Sequence, residues 1–156
     1  MSHETDDDLW TEIVDWLTAL DEVPQDPKYH PEGDALYHSL QVFELALADD
    51  ADPELLAAAL LHDVGKAHAG RDHDTVGAAL LEGLPERTVW LVAHHLDLLR
   101  DPRATRARWH GTPQLADLER LRRWDLGGRS PHARVREPEE AAAIVVEALS
   151  GASEHV

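Results

Sequence analysis

The stretch Pro53–Leu61, Pro-Glu-Leu-Leu-Ala-Ala-Ala-Leu-Leu, most narrows what this chain can fold into. Asp52 before it suits a helix cap, and Pro53 suits the first helical position. Beyond Glu54 every residue is Ala or Leu. Such a helix has no polar face, so it must be covered on most sides. The run continues into His62-Asp63, with Gly65 placed where a left-handed cap would end the helix. At the end of a buried helix the pair enters the interior, where an unpaired charge is costly and a cation is a natural partner. It offers one borderline and one hard metal ligand at almost the same point in space. A plain C-cap is the alternative for the pair taken alone.

The flanking sequence keeps the helical period. Leu9, Trp10, Ile13, Val14, Trp16, Leu17 and Leu20 mark one apolar side of a helix over residues 9–20, behind Asp8 as its cap. The segment Val23–Gly33 holds Pro24, Pro27 and Pro31 and reads as a loop. A second helix runs from Asp34 to Ala48, with Leu36, Leu40, Phe43 and Leu47 as its stripe. His38 lies on it one turn after Asp34, so the two share a face, unless Asp34 only caps and His38 only packs. After Pro53–Asp63 come a loop to Asp72, a short helix from His73 to Glu82, and a helix from Pro85 to about Leu99. That helix carries His94-His95 in its middle. Neighbours on a helix point about 100° apart, so at most one of the two should enter a single mononuclear site.

An Arg-rich connection spans Arg100–Gly111. The next helix starts at Thr112-Pro113, carries Leu115, Leu118, Leu121 and Trp124, and ends in Asp125-Leu126-Gly127-Gly128-Arg129. Asp125 is then either a surface acid near a turn or a carboxylate returning to His62-Asp63. A last helix covers 138–150. The β-branched groups Ile13-Val14 and Ile144-Val145-Val146 fall inside helical periodicity, and no strand pattern is left. The expectation is an all-α fold in one domain over residues 1–156, its core at about 31–129, with helices 9–20 and 138–150 packed on it.

Cysteine is absent, so a metal would be held by His, Asp or Glu alone. The net charge of −17 argues against a general nucleic-acid binder. Yet ten of the fourteen basic residues fall between Arg100 and Arg136, opposed there only by Asp101, Asp117, Glu119 and Asp125. This stretch is either a solvated, salt-bridged face or a cationic rim that admits a phosphorylated substrate. The acidic start Asp6-Asp7-Asp8 and the lack of a long apolar run predict no secretion signal and no membrane span, hence a cytoplasmic protein. An apolar face on the final helix leaves a homodimer open.

The order His38, His62-Asp63 and a distant Asp125, all on helices, resembles the HD superfamily of metal-dependent phosphohydrolases. The likeness runs over roughly Pro31–Arg129. It is similar in particular to the HD domain of bacterial CCA-adding tRNA nucleotidyltransferases, through Pro31-Glu32-Gly33-Asp34-Ala35-Leu36-Tyr37-His38, Ala59-Leu60-Leu61-His62-Asp63-Val64-Gly65-Lys66, His73-Asp74-Thr75-Val76-Gly77 and Asp125-Leu126-Gly127-Gly128-Arg129. The extra histidines, His73 and the pair His94-His95, also resemble the HD-GYP cyclic-dinucleotide phosphodiesterases. The GYP signature is missing, so cyclic di-GMP specificity is not expected. No nucleotidyltransferase head is recognisable, so tRNA end synthesis is not expected either.

The resemblance implies a compact HD bundle of six to seven helices around a metal site formed by His38, His62, Asp63 and Asp125. With His73 and His94 or His95 added there are ligands for a second ion, and Asp63 is the natural bridge. Such a donor set suits one or two divalent transition ions, Mn, Fe, Co or Ni, more than Mg alone, which prefers oxygen. The reaction implied is hydrolysis of a small phosphomonoester or 2′,3′-cyclic phosphodiester, with a nucleotide as substrate class. Asp63 and Lys66 would be catalytic, and Lys66, Arg129 and Asp34 would contact substrate. For Lys66 the other reading is a helix-dipole partner, and for Arg129 a surface arginine. Two further readings stay open: a mixed-valent diiron oxygenase, and a non-catalytic metal-stabilised module that binds a nucleotide.

Overall fold

The computed structural model describes residues 5–154. In chain order its elements are α1 (Asp6–Thr18), α2 (Ala35–Ala48), α3 (Pro53–Leu61), a 3-10 helix (Val64–Ala67), α4 (His73–Leu80), α5 (Glu86–His94), α6 (Asp97–Arg100), α7 (Pro102–Arg108), α8 (Pro113–Gly127) and α9 (Pro138–Glu154). Among the described residues there is no strand. The fold is all-α. No helix among these residues is long and apolar enough to cross a membrane.

The all-apolar segment is the axis of the core. Every residue of α3 from Leu55 to Leu61 is buried, and α2, α5, α8 and α9 pack around it. Each buried leucine here contributes about 2 kcal/mol by removal from water. Ile13, Leu17 and Leu20 join the same core from the N-terminal side. α1 pairs with α9, where Trp10 Nε1 donates to the Glu139 carbonyl at 3.0 Å.

Several expected boundaries move, each for a visible reason. α1 begins at Asp6 because Thr5, not Asp8, is the cap. Asp8 sits at the third helical position and completes a capping box, donating its N–H to Thr5 Oγ1 (3.2 Å) and accepting from the Thr5 N–H (3.4 Å). α9 continues to Glu154. The Arg-rich connection holds the helix α7, capped by Asp101 and opened by Pro102, the same device as Asp52-Pro53. The helix after Pro85 is interrupted, ending as α5 at His94 and resuming as α6. His94-His95 therefore lies at a helix end and not in its middle, and the helices outnumber the six to seven expected.

Gly65 also departs from expectation. Among the described glycines only Gly33, Gly83 and Gly111 have positive φ, so Gly65 is not a left-handed cap. It is required by close approach. A Cβ at Gly65 would collide with the His73 carbonyl oxygen and lie 2.7 Å from the Gly77 nitrogen. The 3-10 helix therefore crosses the start of α4 backbone to backbone, which brings His73 beside Asp63.

Candidate metal centre and adjoining cleft

His62 caps the C-terminus of α3 in helical geometry, so the chain carries it and Asp63 into the interior without a turn to the surface. His62 is fully buried and Asp63 is 3% exposed. The two oxygens of Asp63 face different partners. Its Oδ2 lies 3.3 Å from His62 Nε2 and 3.7 Å from His38 Nε2. Its Oδ1 lies 3.2 Å from His73 Nε2 and 3.4 Å from His95 Nε2. Asp125 closes the first group, with Oδ1 at 2.8 Å from His38 Nε2 and 3.5 Å from His62 Nε2. One donor atom each from His38, His62, Asp63 and Asp125 falls within 4.8 Å of the others, and the same holds for Asp63, His73 and His95.

The imidazoles are held in a common way. His62, His73 and His95 each place Nδ1 at 2.7–2.8 Å from the backbone carbonyl three residues earlier, those of Ala59, Gly70 and Val92. His38 places Nδ1 at 2.8 Å from the Gly128 carbonyl. Nδ1 carries the proton in each contact, because a carbonyl can only accept. Nε2 is left facing the carboxylates, the orientation in which it can ligate a cation once any proton it carries has left. The Nε2 atoms of His62, His73 and His95 are buried with no hydrogen-bond partner. Orphaned buried nitrogens converging on two carboxylates fit a divalent metal ion.

Electrostatics agree. Burial alone would lower the His62 imidazole, but the neighbouring Asp63 and Asp125 carboxylates push it up to about 10. Burial likewise opposes His38, and Asp125 and Glu32 push it up to about 9. Burial would raise Asp63, yet His62 and Lys66 hold it well below the usual carboxylate range. His38 and His62 hold Asp125 down in the same manner against its own burial. The pocket demands positive charge, which protons or metal ions can supply.

Backbone contacts fix the frame. A Cβ at Gly128 would lie 2.8 Å from Val42 Cγ2, so only glycine lets this carbonyl reach His38 on α2. Gln41 clasps Ser130 through both ends of its amide, at 2.7 and 3.0 Å, and Tyr37 Oη donates to the Ala133 carbonyl at 2.6 Å. Buried Asp74 accepts from Arg100 at 2.6 Å and ties α4 to α6.

Behind His38 sits a residue that sequence reasoning quoted but did not single out. Glu32 is buried, with Oε2 at 2.9 Å from both His38 Nδ1 and His30 Nδ1. His30 leads outward to a cleft of about 650 Å³, also lined by Lys66, Arg122 and Arg129. Each of these three cations touches the cluster. Lys66 Nζ is 3.3 Å from Asp63 Oδ2 and donates to Gln25, a guanidinium nitrogen of Arg122 is 3.3 Å from Asp125 Oδ2, and Arg129 Nε is 3.4 Å from the Asp125 carbonyl. Arg122 was hidden among ten basic residues, with only its place three residues before Asp125 to mark it. Of the other expected residues, His94 is not brought in. Its Nδ1 lies 2.7 Å from Asp97 Oδ2 and its ring stacks on Trp90. Asp34 caps α2, accepting from the Tyr37 and Glu22 N–H groups at 2.8 and 3.0 Å, so both its oxygens are engaged by backbone.

Comparison with known proteins agrees with this geometry. The HD domain family matches residues 35–148. The multifunctional CCA protein of Halorhodospira halophila is 39% identical over 109 residues, covering 60% of this chain and 23% of that protein. Its counterparts from Thioalkalivibrio sulfidiphilus (42% over 98 residues; 57% and 22%) and Hahella chejuensis (40% over 83 residues; 49% and 20%) are similar in the same way. The matched region is thus about a fifth of the length of these relatives. With a family match across most of its length and the His-Asp cluster at its centre, the chain belongs to the HD domain family.

Proposed function

We propose that this chain hydrolyses a small phosphomonoester or 2′,3′-cyclic phosphodiester of a nucleotide, within a family of metal-dependent phosphohydrolases. The observation that carries the reading is the shared wall between cluster and cleft. Three cations line a cavity large enough for a small molecule, and each also touches Asp63 or Asp125. The relatives are named multifunctional CCA proteins, and the matched segment is a minor part of each, which is compatible with one of several activities residing in it.

His38, His62, Asp63 and Asp125 would hold one ion, and Asp63, His73 and His95 a second, with Mn, Fe, Co or Ni preferred to Mg alone. Such ions supply an acidified water and neutralise phosphoryl oxygens. The chain's own contribution is orientation. Lys66 meets a phosphoryl oxygen as a point charge, while Arg122 and Arg129 offer planar pairs of N–H donors. Glu32 and the four carbonyls keep the imidazoles from turning.

The test is phosphate release from AMP, 2′,3′-cyclic AMP and p-nitrophenyl phosphate by protein reconstituted with Mn²⁺. Turnover is expected, abolished by chelator, and lowered about 10³-fold or more in Asp63→Asn, the scale of losing a group that acts as part of a unit. A metal-loaded protein inert to all three esters would refute the reading. A second reading, oxygen activation by two irons, is favoured by the complete set of four imidazoles and two carboxylates. It predicts oxygen consumption with iron and none with manganese. The cations of the cleft weigh towards the phosphate ester.

A further inference from the structure

One wall of the cleft is a loop, and cations of the cleft hold it in place. Val23, Pro24, Gln25, Asp26, Tyr29 and His30 line the cavity, all from the segment between α1 and α2. The base of this segment is stapled: the Glu22 N–H donates to Asp34 Oδ2 and the Ala35 N–H to the Val23 carbonyl, both at 3.0 Å. At each end the backbone passes through the left-handed region, with φ of 64° at Glu22 and 109° at Gly33. Inside, the Tyr29 and His30 N–H groups donate to the Asp26 carbonyl at 3.0 and 2.8 Å. A loop closed at its base and folded on its own turns is an Ω-loop. Between Val23 and Gly33 only Glu32 is buried, and Tyr29 is 55% exposed. Little apolar burial holds the loop down, so polar contacts decide where it sits.

Two of those contacts come from the cations that face the cluster. Lys66 Nζ donates to Gln25 Oε1, and Arg129 Nη1 donates to the Tyr29 carbonyl at 3.0 Å. We propose that these two loop oxygens form a latch, which stands in for phosphate on Lys66 and Arg129 and lets the loop go when a phosphate takes those donors over. The inference rests on the proposed function for the role of the two cations as phosphate ligands. Each cation has a second contact that does not yield. Lys66 lies 3.3 Å from Asp63 Oδ2, and Arg129 Nε lies 3.4 Å from the Asp125 carbonyl, and both aspartates are fixed in the cluster. The loop contacts are therefore the ones that break. Strength decides the exchange, because both loop acceptors are neutral and a charged phosphate oxygen makes a hydrogen bond roughly twice as strong. Gln25 is the main catch. Its Nε2 donates to Glu32 Oε2 at 3.4 Å, which keeps its carbonyl aimed at Lys66.

The experiment measures equilibrium binding of inorganic phosphate to the metal-loaded full chain by calorimetry, with amide hydrogen exchange followed on the same samples. In the wild type, phosphate should speed exchange of the Lys28, Tyr29 and His30 amides about threefold or more, whereas a ligand that only covered the loop would slow it. Gln25→Ala should show the faster exchange without phosphate. It should also bind phosphate about threefold or more tightly, the scale of one hydrogen bond that no longer has to be broken. Gln25 lies in a loop and is only half buried, so the variant keeps its fold, which circular dichroism checks. An affinity unchanged or lowered in Gln25→Ala, or loop amides slowed by phosphate in the wild type, would overturn the inference. Turnover of phosphate esters alongside either of those results leaves the hydrolase reading standing and removes the latch alone. A working latch without turnover does the reverse, and phosphate binding by neither protein removes both.

Discussion

Four imidazoles reach the cluster through the same ring nitrogen, and a backbone carbonyl holds the other nitrogen of each. That shared device gives the neighbours His94 and His95 opposite fates. His95 keeps helical dihedrals at the end of α5, so the step of about 100° between helical neighbours points His95 at Asp63 while His94 stacks on Trp90. His95→Ala should drop one metal equivalent by elemental analysis, and His94→Ala should keep the wild-type content. Equal loss in both would mean the helix end is elsewhere. From sequence the two could not be separated, since the interruption after His94 has no Gly or Pro to announce it. His62-Asp63 is legible because a paired ligand type stands out at the end of an Ala- and Leu-rich run, whereas His38 and Asp125 join it only through the family resemblance. Glu32, His30 and Arg122 were not legible, because their contacts with His38, Glu32 and Asp125 are close in sequence and have the look of ordinary loop and helix pairings.

Protonation at the same residues has a measurable consequence. In metal-free protein His38 and His62 lie at about 9 and about 10, above the ordinary histidine value of 6.5. Their stabilising contribution is therefore complete below about pH 6.5 and is lost as pH rises through 9 and 10. Asp63 and Asp125, both depressed, contribute above the ordinary carboxylate value and fail only in acid. Calorimetry in chelator should show Tm falling between about pH 7 and pH 10, and saturating metal should flatten that fall because the ions replace the protons. A metal-free Tm that is level to pH 10 would contradict this electrostatic account.

Among elements, the crossing of the 3-10 helix over α4 sets the distance between the two halves of the site. Gly65→Ala forces backbone away from backbone and should cost about 3 kcal/mol or more in denaturant unfolding. Gly70→Ala, in the loop after the 3-10 helix with open space around its Cα, should stay within about 0.5 kcal/mol. Comparable losses in both would show that the contact is not what positions His73. Most helices were legible from apolar spacing and caps. α7 was not: five of its seven residues are Pro, Arg or Thr, and the charge read as a connection although Asp101-Pro102 repeats the cap that opens α3. Gly65 stands out in the sequence, but close approach between distant backbones leaves no local signal of why glycine is required there.

At the scale of the whole molecule, charge is sorted. An acidic chain places three of its few cations where a buried cluster of carboxylates and imidazoles meets a cleft that gathers exposed apolar side chains. On the proposed reading this cluster would hold two ions, with Asp63 offering one oxygen to each group of ligands. The most direct measurement is elemental analysis of protein purified without added metal, with phosphatase activity assayed on the same sample. About two equivalents of a transition metal together with turnover are the predicted result. Failure to bind metal even after reconstitution, or metal-loaded protein without turnover on any phosphate ester, would contradict it.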